Sequence, residues 1–303
     1  MQDNVKNRKV ALLIIYNHRY DKNIPLLETI YGERFTYLYH IIPFYDGAKD
    51  NVITVYDSSF YFESYIAQAY QHIKNKGFTH YFFIADDMIL NPQINENSLF
   101  EFTGIPENCC WINDFRDYTT HPYNVPVCIQ TKKRGIEVNH FLPPVDGICK
   151  KIKTFSLKAF PNRRYVVFDL FNSLFKRRLS WVIRDLYYLI HFNKKNYYPG
   201  VWGYSDAVLL PADYMANFAL YCGALGGLNV FVEHAIPLAL IMSSDKILLQ
   251  KNIKLNTITQ LYGLGEKGQK EFLDKYNYSL EKLLANFPKD CFFVHPIKLS
   301  KWK

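Results

Sequence analysis

Two adjacent carboxylates, Asp86 and Asp87, end the apolar run Thr79 to Ala85 (THYFFIA). Neighbouring carboxylates repel each other unless a cation or a basic group compensates, and a divalent metal bridging a diphosphate is one such compensation. A plainer explanation is an acidic turn capping the next element, because Asn91-Pro92 follows closely.

The elements that must hold this pair can be read from hydrophobic spacing. Lys9 to Ile15 (KVALLII), Phe35 to Ile42 and Asn51 to Tyr56 have the character of strands, with a polar turn at Asn17 to Asn23. Phe60 to Lys74 has helical spacing through Phe62, Ile66, Ala69, Tyr70 and Ile73, and Lys76-Gly77 supplies a stop. Runs that are apolar on both faces, alternating with helices, predict a mostly parallel sheet covered by helices. Ligands of such sheets collect outside the carboxyl ends of the strands, where Asp86-Asp87 falls. Turn residues multiply from Asn95 to Pro144, which suggests an excursion from the sheet. Farther on, the pattern predicts strands at Ala207 to Leu210, Asn229 to Val232 and Phe292 to Val294. It predicts helices at Ala212 to Tyr221, His234 to Ile241 and Glu271 to Asn286.

Composition bounds the classes. The chain has 303 residues, 49% hydrophobic and 17% aromatic, which excludes a disordered or collagen-like protein. No segment reaches the roughly 18 apolar residues of a membrane span. The apolar run near the start is too short for a secretory signal, so the chain is expected to stay where it is made or to have been expressed without its leader. The six cysteines show neither disulfide-framework density nor a C-x2-C pair, and reduced thiols are expected.

The formal net charge is +8, and the excess is concentrated: Lys150 to Lys195 holds twelve basic residues against Asp169 and Asp185. In the same segment Phe168, Phe171, Phe175, Leu179, Val182, Leu186 and Leu189 recur at helical steps, with Asp169, Asn172, Lys176, Ser180 and Arg184 largely off the stripe. Such a helix either lies on the protein's own core with a solvated basic face or approaches an anionic membrane or lipid-phosphate-linked acceptor. No nucleic-acid partner is expected, since zinc-finger spacing, RNP-type aromatics and Gly-rich RNA clamps are all missing.

The string YFFIADDMILNP resembles the Asp-x-Asp segment of nucleotide-sugar-dependent glycosyltransferases of the GT-A fold, with Ala85 at the first acidic position and Asp86 and Asp87 at the other two. FFVHPIKLSKW is similar to a C-terminal signature of some such enzymes, and GYSDAVLLPADY and LNVFVEHAIPLAL resemble their acceptor side. The resemblance implies a single GT-A-like, Rossmann-like domain over residues 1–303: a nucleotide-sugar half at 1–95, an irregular and basic helical insertion at 96–199, and an acceptor half with a C-terminal tail at 200–303. It implies Mn²⁺ or Mg²⁺ held by Asp87 and His295, with Asp86 and Lys298 at the donor diphosphate. The donor would be a nucleoside diphosphate sugar, UDP-linked, and the acceptor a glycan or a lipid-linked glycan of surface polysaccharide synthesis. Tyr16, Asn17 and Arg19, at the end of the first strand, would meet base, ribose and phosphate; Asp57, after VITVY, is a further nucleotide contact.

The chemistry asks for the same groups. A departing diphosphate needs positive charge, and an inverting attack needs a base on the opposite face of the sugar, for which Glu233 and Asp206 are the candidates. Glu233 also reads as a first-turn helix acid and Asp206 as a turn aspartate. The rival classes are a metal-dependent phosphohydrolase or nucleotidyltransferase, although LLIIYNHRYDKN lacks a phosphate-loop glycine, and a non-catalytic sugar-binding protein. A cytoplasmic location, peripheral at the inner face of a membrane, is expected.

Overall fold

The computed structural model describes residues 8–117, 141–160 and 198–302, together with scattered positions between 167 and 190. Its centre is a seven-stranded sheet ordered β3-β2-β1-β4-β7-β6-β8. The strands are β1 (Val10–Ile15), β2 (Tyr37–Pro43), β3 (Val52–Val55), β4 (His80–Ala85), β6 (Cys110–Ile112), β7 (Ala207–Pro211) and β8 (Ile247–Leu249). β3, β2, β1 and β4 run parallel, β7 is antiparallel to both β4 and β6, and β8 is parallel to β6. This is the mixed, mostly parallel, Rossmann-like sheet expected from the sequence.

Both faces are covered, which explains why β1 and β4 are apolar at every position. Ala11, Leu13 and Ile15 enter a core built with α2 (Glu63–Ile73), α5 (Ala212–Gly227) and α6 (Val232–Ser243). Val10, Leu12 and Ile14 enter the opposite core, with α1 (Ile24–Tyr31), α3 (Leu99–Thr103), α7 (Gly265–Tyr276) and α8 (Leu280–Ala285). A smaller sheet, β5-β10-β9, joins β5 (Ile89–Leu90), β10 (Cys291–His295) and β9 (Thr257–Gln260) on that second face. α4 (Val145–Thr154) packs its Ile148 and Ile152 into the first core.

Three expectations need correction. Asn229 to Val232 is no strand: Asn229 takes a left-handed turn at φ 55°, and α6 begins at Val232. The helix expected over Glu271 to Asn286 is two, divided where Asn277 and Tyr278 both adopt positive φ. The stretch Asn95 to Pro144 does return to the sheet through β6, which at three residues is too short to leave a periodic signal. Of the basic segment's apolar stripe, Phe171, Phe175, Leu179 and Leu186 are exposed and Val182 is buried. Phe168, Leu189 and the polar positions Asp169, Asn172, Lys176 and Arg184 lie outside the described residues.

Among the described residues no disulfide is formed, Cys128 lying outside them, and no helix is long and apolar enough to cross a membrane.

Candidate active site

β4 ends between β1 and β7, and the chain turns there through Asp86 and Asp87. The Asp86 N–H donates to the Ile15 carbonyl (2.9 Å) and the Ala85 N–H to the Asp206 carbonyl (2.9 Å), so the pairing of β4 with both neighbours brings Asp206 beside the acidic pair. Asp86 is buried and accepts from Asn23 Nδ2 at 3.2 Å. Burial and the neighbouring Asp87 push its carboxyl up to about 7, with Asn23 and the Asn17 backbone opposing.

Asp87 faces the other way, toward the C-terminal strand. Antiparallel pairing sets Leu90 opposite Phe293 and Ile89 opposite Val294, and the Ile297 N–H donates to the Asp87 carbonyl at 2.6 Å. His295 therefore reaches Asp87, with Nε2 3.0 Å from Oδ1. On its other side His295 Nδ1 is 2.7 Å from the Tyr204 hydroxyl, and the Tyr204 ring stacks on Phe293 at 5.8 Å between centroids. Burial lowers the His295 pKa, but the contact with Asp87 and the fields of Asp206, Asp87 and Asp86 outweigh it and hold the imidazole above its ordinary value.

A cleft of about 270 Å³ opens beside this pair, lined by Asp206, Glu233, His295, Tyr204, Gln260, Trp202, Gly203, Arg116 and Tyr262. Burial raises the Asp206 carboxyl to about 6; Asp87 and Glu233 add to the rise and His295 opposes it. The wall carrying Glu233 is tied to the wall carrying Tyr204 through a proline. Pro237 lies inside α6 and has no N–H to offer the Glu233 carbonyl four residues earlier. That carbonyl instead accepts from the Gly203 N–H at 2.9 Å. Only glycine fits at 203, since a Cβ there would sit 2.3 Å from the Asp114 carbonyl oxygen. The next N–H, of Tyr204, donates to Asp114 Oδ1 at 2.8 Å, so Tyr204 is fixed from both sides. Arg116 lies over the Trp202 ring at 4.6 Å and pairs with Asp114 at 2.6 Å, leaving an aromatic and cationic rim.

The fit of a divalent cation can be tested on these atoms. Asp87 Oδ1 is buried and forms no hydrogen bond of acceptable geometry, despite its ion-pair contact with His295. The 3.0 Å separation of Oδ1 and Nε2 matches the edge of an octahedron whose ligands stand about 2.1 Å from its centre. Among the described residues no group of three or more His, Cys, Asp and Glu side chains converges as a metal cage. A carboxylate and an imidazole are a mixed oxygen and nitrogen pair that suits a transition-metal ion such as Mn²⁺ better than Mg²⁺, with the remaining ligands to come from water and substrate phosphate.

The candidates near the start of the chain are placed differently. Tyr16 is fully buried with its hydroxyl 2.8 Å from His40 Nδ1, so its ring is covered by the core rather than open to a base. Arg19 is paired with Asp21 and Asp46 on the surface. Asp57 accepts from Ser64 Oγ at 2.6 Å and from the Ser58 N–H at 2.7 Å, tying down the entry to α2. Asn17 remains beside Asp86, and Lys298 is exposed just beyond β10. Sequence reading missed Tyr204, Trp202, Arg116, Gln260 and Tyr262. GYSDAVLLPADY contains Tyr204, but the register that sets it on His295 comes from pairings too distant in sequence to be read.

The chain matches no model of a known protein family and shows no similarity to a curated protein.

Proposed function

We propose that the protein is a metal-dependent glycosyltransferase that moves a sugar from a nucleoside diphosphate sugar, UDP-linked, to a glycan or lipid-linked acceptor. The observation that carries this reading is the meeting of Asp87 and His295 at the head of a cleft that also holds Asp206 and Glu233. One end of the cleft offers donors for a cation and its diphosphate, and the other offers carboxylates for a sugar hydroxyl.

Asp87 and His295 would hold Mn²⁺ or Mg²⁺, which supplies positive charge to a departing diphosphate. Lys298, exposed next to β10, adds charge without giving up a proton. Asp206 is the base: a carboxyl held near 6 is largely ionised at neutral pH yet more basic than an ordinary aspartate. It takes the proton of the attacking hydroxyl as the oxygen closes on the anomeric carbon. Glu233 and Gln260 orient the acceptor through its other hydroxyls, and the exposed Tyr262 ring gives the sugar an apolar face to lie against. Donor and acceptor would be met at the cytoplasmic face of a membrane, where lipid-linked glycans are extended.

The test is incubation with UDP-sugars and Mn²⁺, with separation of the nucleotide products. Intact UDP, sugar transferred to an acceptor, and loss of turnover on chelation are expected. Release of inorganic phosphate or of UMP would instead identify a phosphohydrolase, and turnover that survives chelation would overturn the metal's role.

A further inference from the structure

Tyr204 lines the cleft and is held at both ends of its side chain. At the backbone, its N–H donates to Asp114 Oδ1 at 2.8 Å, directly after the Gly203 N–H has gone to the Glu233 carbonyl at 2.9 Å. Its ring stacks on Phe293 with the planes 13° apart and meets the His295 ring edge-on, 5.6 Å between centroids. The hydroxyl lies 2.7 Å from His295 Nδ1, and the Gln260 side chain reaches the same hydroxyl. Parallel pairing of β9 with β10 sets Gln260 opposite His295, so the three side chains meet at one end of the smaller sheet.

An imidazole has two nitrogens, and the bond made by one decides what the other can do. His295 turns Nε2 to Asp87 and Nδ1 to Tyr204. Once Nε2 gives its lone pair to a cation, the one remaining ring proton must stand on Nδ1, where it needs an acceptor. The Tyr204 hydroxyl oxygen is placed to accept it. The hydroxyl's own proton then has the Gln260 amide to turn to, since that amide carries both an oxygen and an NH₂ and can serve the chain in either direction. A phenylalanine at 204 would keep the ring contacts and leave the Nδ1 proton of a buried histidine unpaired. We propose that Tyr204 is the positioning residue of His295: it orients the imidazole and holds its proton on Nδ1, so that Nε2 is free for the cation beside Asp87. Tyr204 does not itself reach the cation, because its hydroxyl sits on the other ring nitrogen. The inference rests on the metal-dependent reading of the cleft and adds a requirement which that reading does not contain.

The experiment is titration of the full chain with Mn²⁺ in the presence of UDP, followed by the electron paramagnetic resonance of the free ion, so that no turnover enters the readout. Tyr204→Phe should weaken Mn²⁺ binding about 10- to 100-fold, the loss typical when the outer partner of a metal-binding histidine is removed. Pulsed spectra of the parent complex should show coupling of the manganese to an imidazole nitrogen; the coupling should be lost in His295→Gln and reduced in Tyr204→Phe. A role confined to packing would move the melting temperature and leave affinity and coupling unchanged. Gln260→Leu, on a strand at the edge of its sheet, should weaken Mn²⁺ by about fivefold through the same chain of contacts, and it decides the matter if Tyr204→Phe does not fold. Mn²⁺ bound by the parent chain, and bound as tightly by the folded variants, would overturn this inference alone and leave the metal-dependent reading standing. A parent chain that binds no Mn²⁺ in the presence of UDP would overturn both together.

Discussion

The candidate site has two flanks, and the same residue types do different work on each. Along the carboxyl ends of β1 to β3, the polar groups that sequence reading favoured are used up by the fold: Tyr16 by His40, Arg19 by Asp21 and Asp46, and Asp57 by Ser58 and Ser64. Along β4, β7 and β10, Asp206 and His295 line an open cleft, and Asp87, which meets His295, keeps a buried carboxylate oxygen without a hydrogen bond. A strand-end position is thus a necessary feature of a site residue in this sheet and not a sufficient one. What separates the flanks is whether a complementary polar side chain of the fold already takes up the group's bonding capacity, as His40 does for Tyr16, Asp46 for Arg19 and Ser64 for Asp57.

The strongest way to break this contrast is to substitute Asp87. Asp87→Asn keeps the shape and removes the charge, so UDP-sugar turnover should fall about 10²- to 10³-fold, the size of loss seen when one preorganised electrostatic contact is removed. The melting temperature should move by no more than about 3 °C, because the side chain is partly exposed. A large loss of stability with unimpaired turnover would make Asp87 a structural residue like Asp57.

The other flank should respond in stability. Burial lowers the His40 pKa to about 4, with Lys49 adding to the fall and Glu28 opposing it, so the folded state holds His40 neutral where the unfolded chain takes up a proton near 6.5. The unfolded state therefore binds more protons between those values, and stability is lost as pH falls from about 6.5 toward 4. The full loss is on the order of 3 kcal/mol, read from denaturant midpoints across that window. His40→Gln should flatten the slope there.

A smaller effect is expected from Tyr16→Phe, which deletes the hydroxyl that meets His40 Nδ1. Leaving a buried polar atom without its partner costs about 1–3 kcal/mol. Affinity for UDP, measured by calorimetry, should stay within about twofold. Weakened UDP binding at full stability would return Tyr16 to the donor site and erase the contrast between the flanks.

Much of the architecture is legible in the sequence for a physical reason. β1 and β4 are buried on both faces, so VALLII and HYFFIA announce themselves as apolar runs, and the helix after β3 shows its period over eleven residues. β6 and β8 have three residues each, and β9 reads TITQ with half-exposed positions, so none carries enough apolar signal to be found. α1 escapes as well, since Ile24, Leu27, Ile30 and Tyr31 pack inward from a helix of only eight residues that opens on a proline. In the site, Asp86-Asp87 was visible because a polar pair closes an apolar strand. Tyr204 and Gln260 were not, because the stacking of Tyr204 on Phe293 and the pairing of Gln260 with His295 depend on the register of β10. The link between Pro237 and Gly203 is invisible for a similar reason: a missing N–H matters only once the freed carbonyl has a partner in space.

The most direct measurement is a crystal structure of the protein with UDP and Mn²⁺, using the anomalous signal of manganese to place the ion. The account predicts a single cation within about 2.0 to 2.3 Å of an Asp87 carboxylate oxygen and of His295 Nε2, bridging to the diphosphate, with the Tyr204 hydroxyl still on Nδ1. UDP bound with no cation at Asp87, or manganese bound elsewhere while His295 keeps its contact with Asp87, would contradict it.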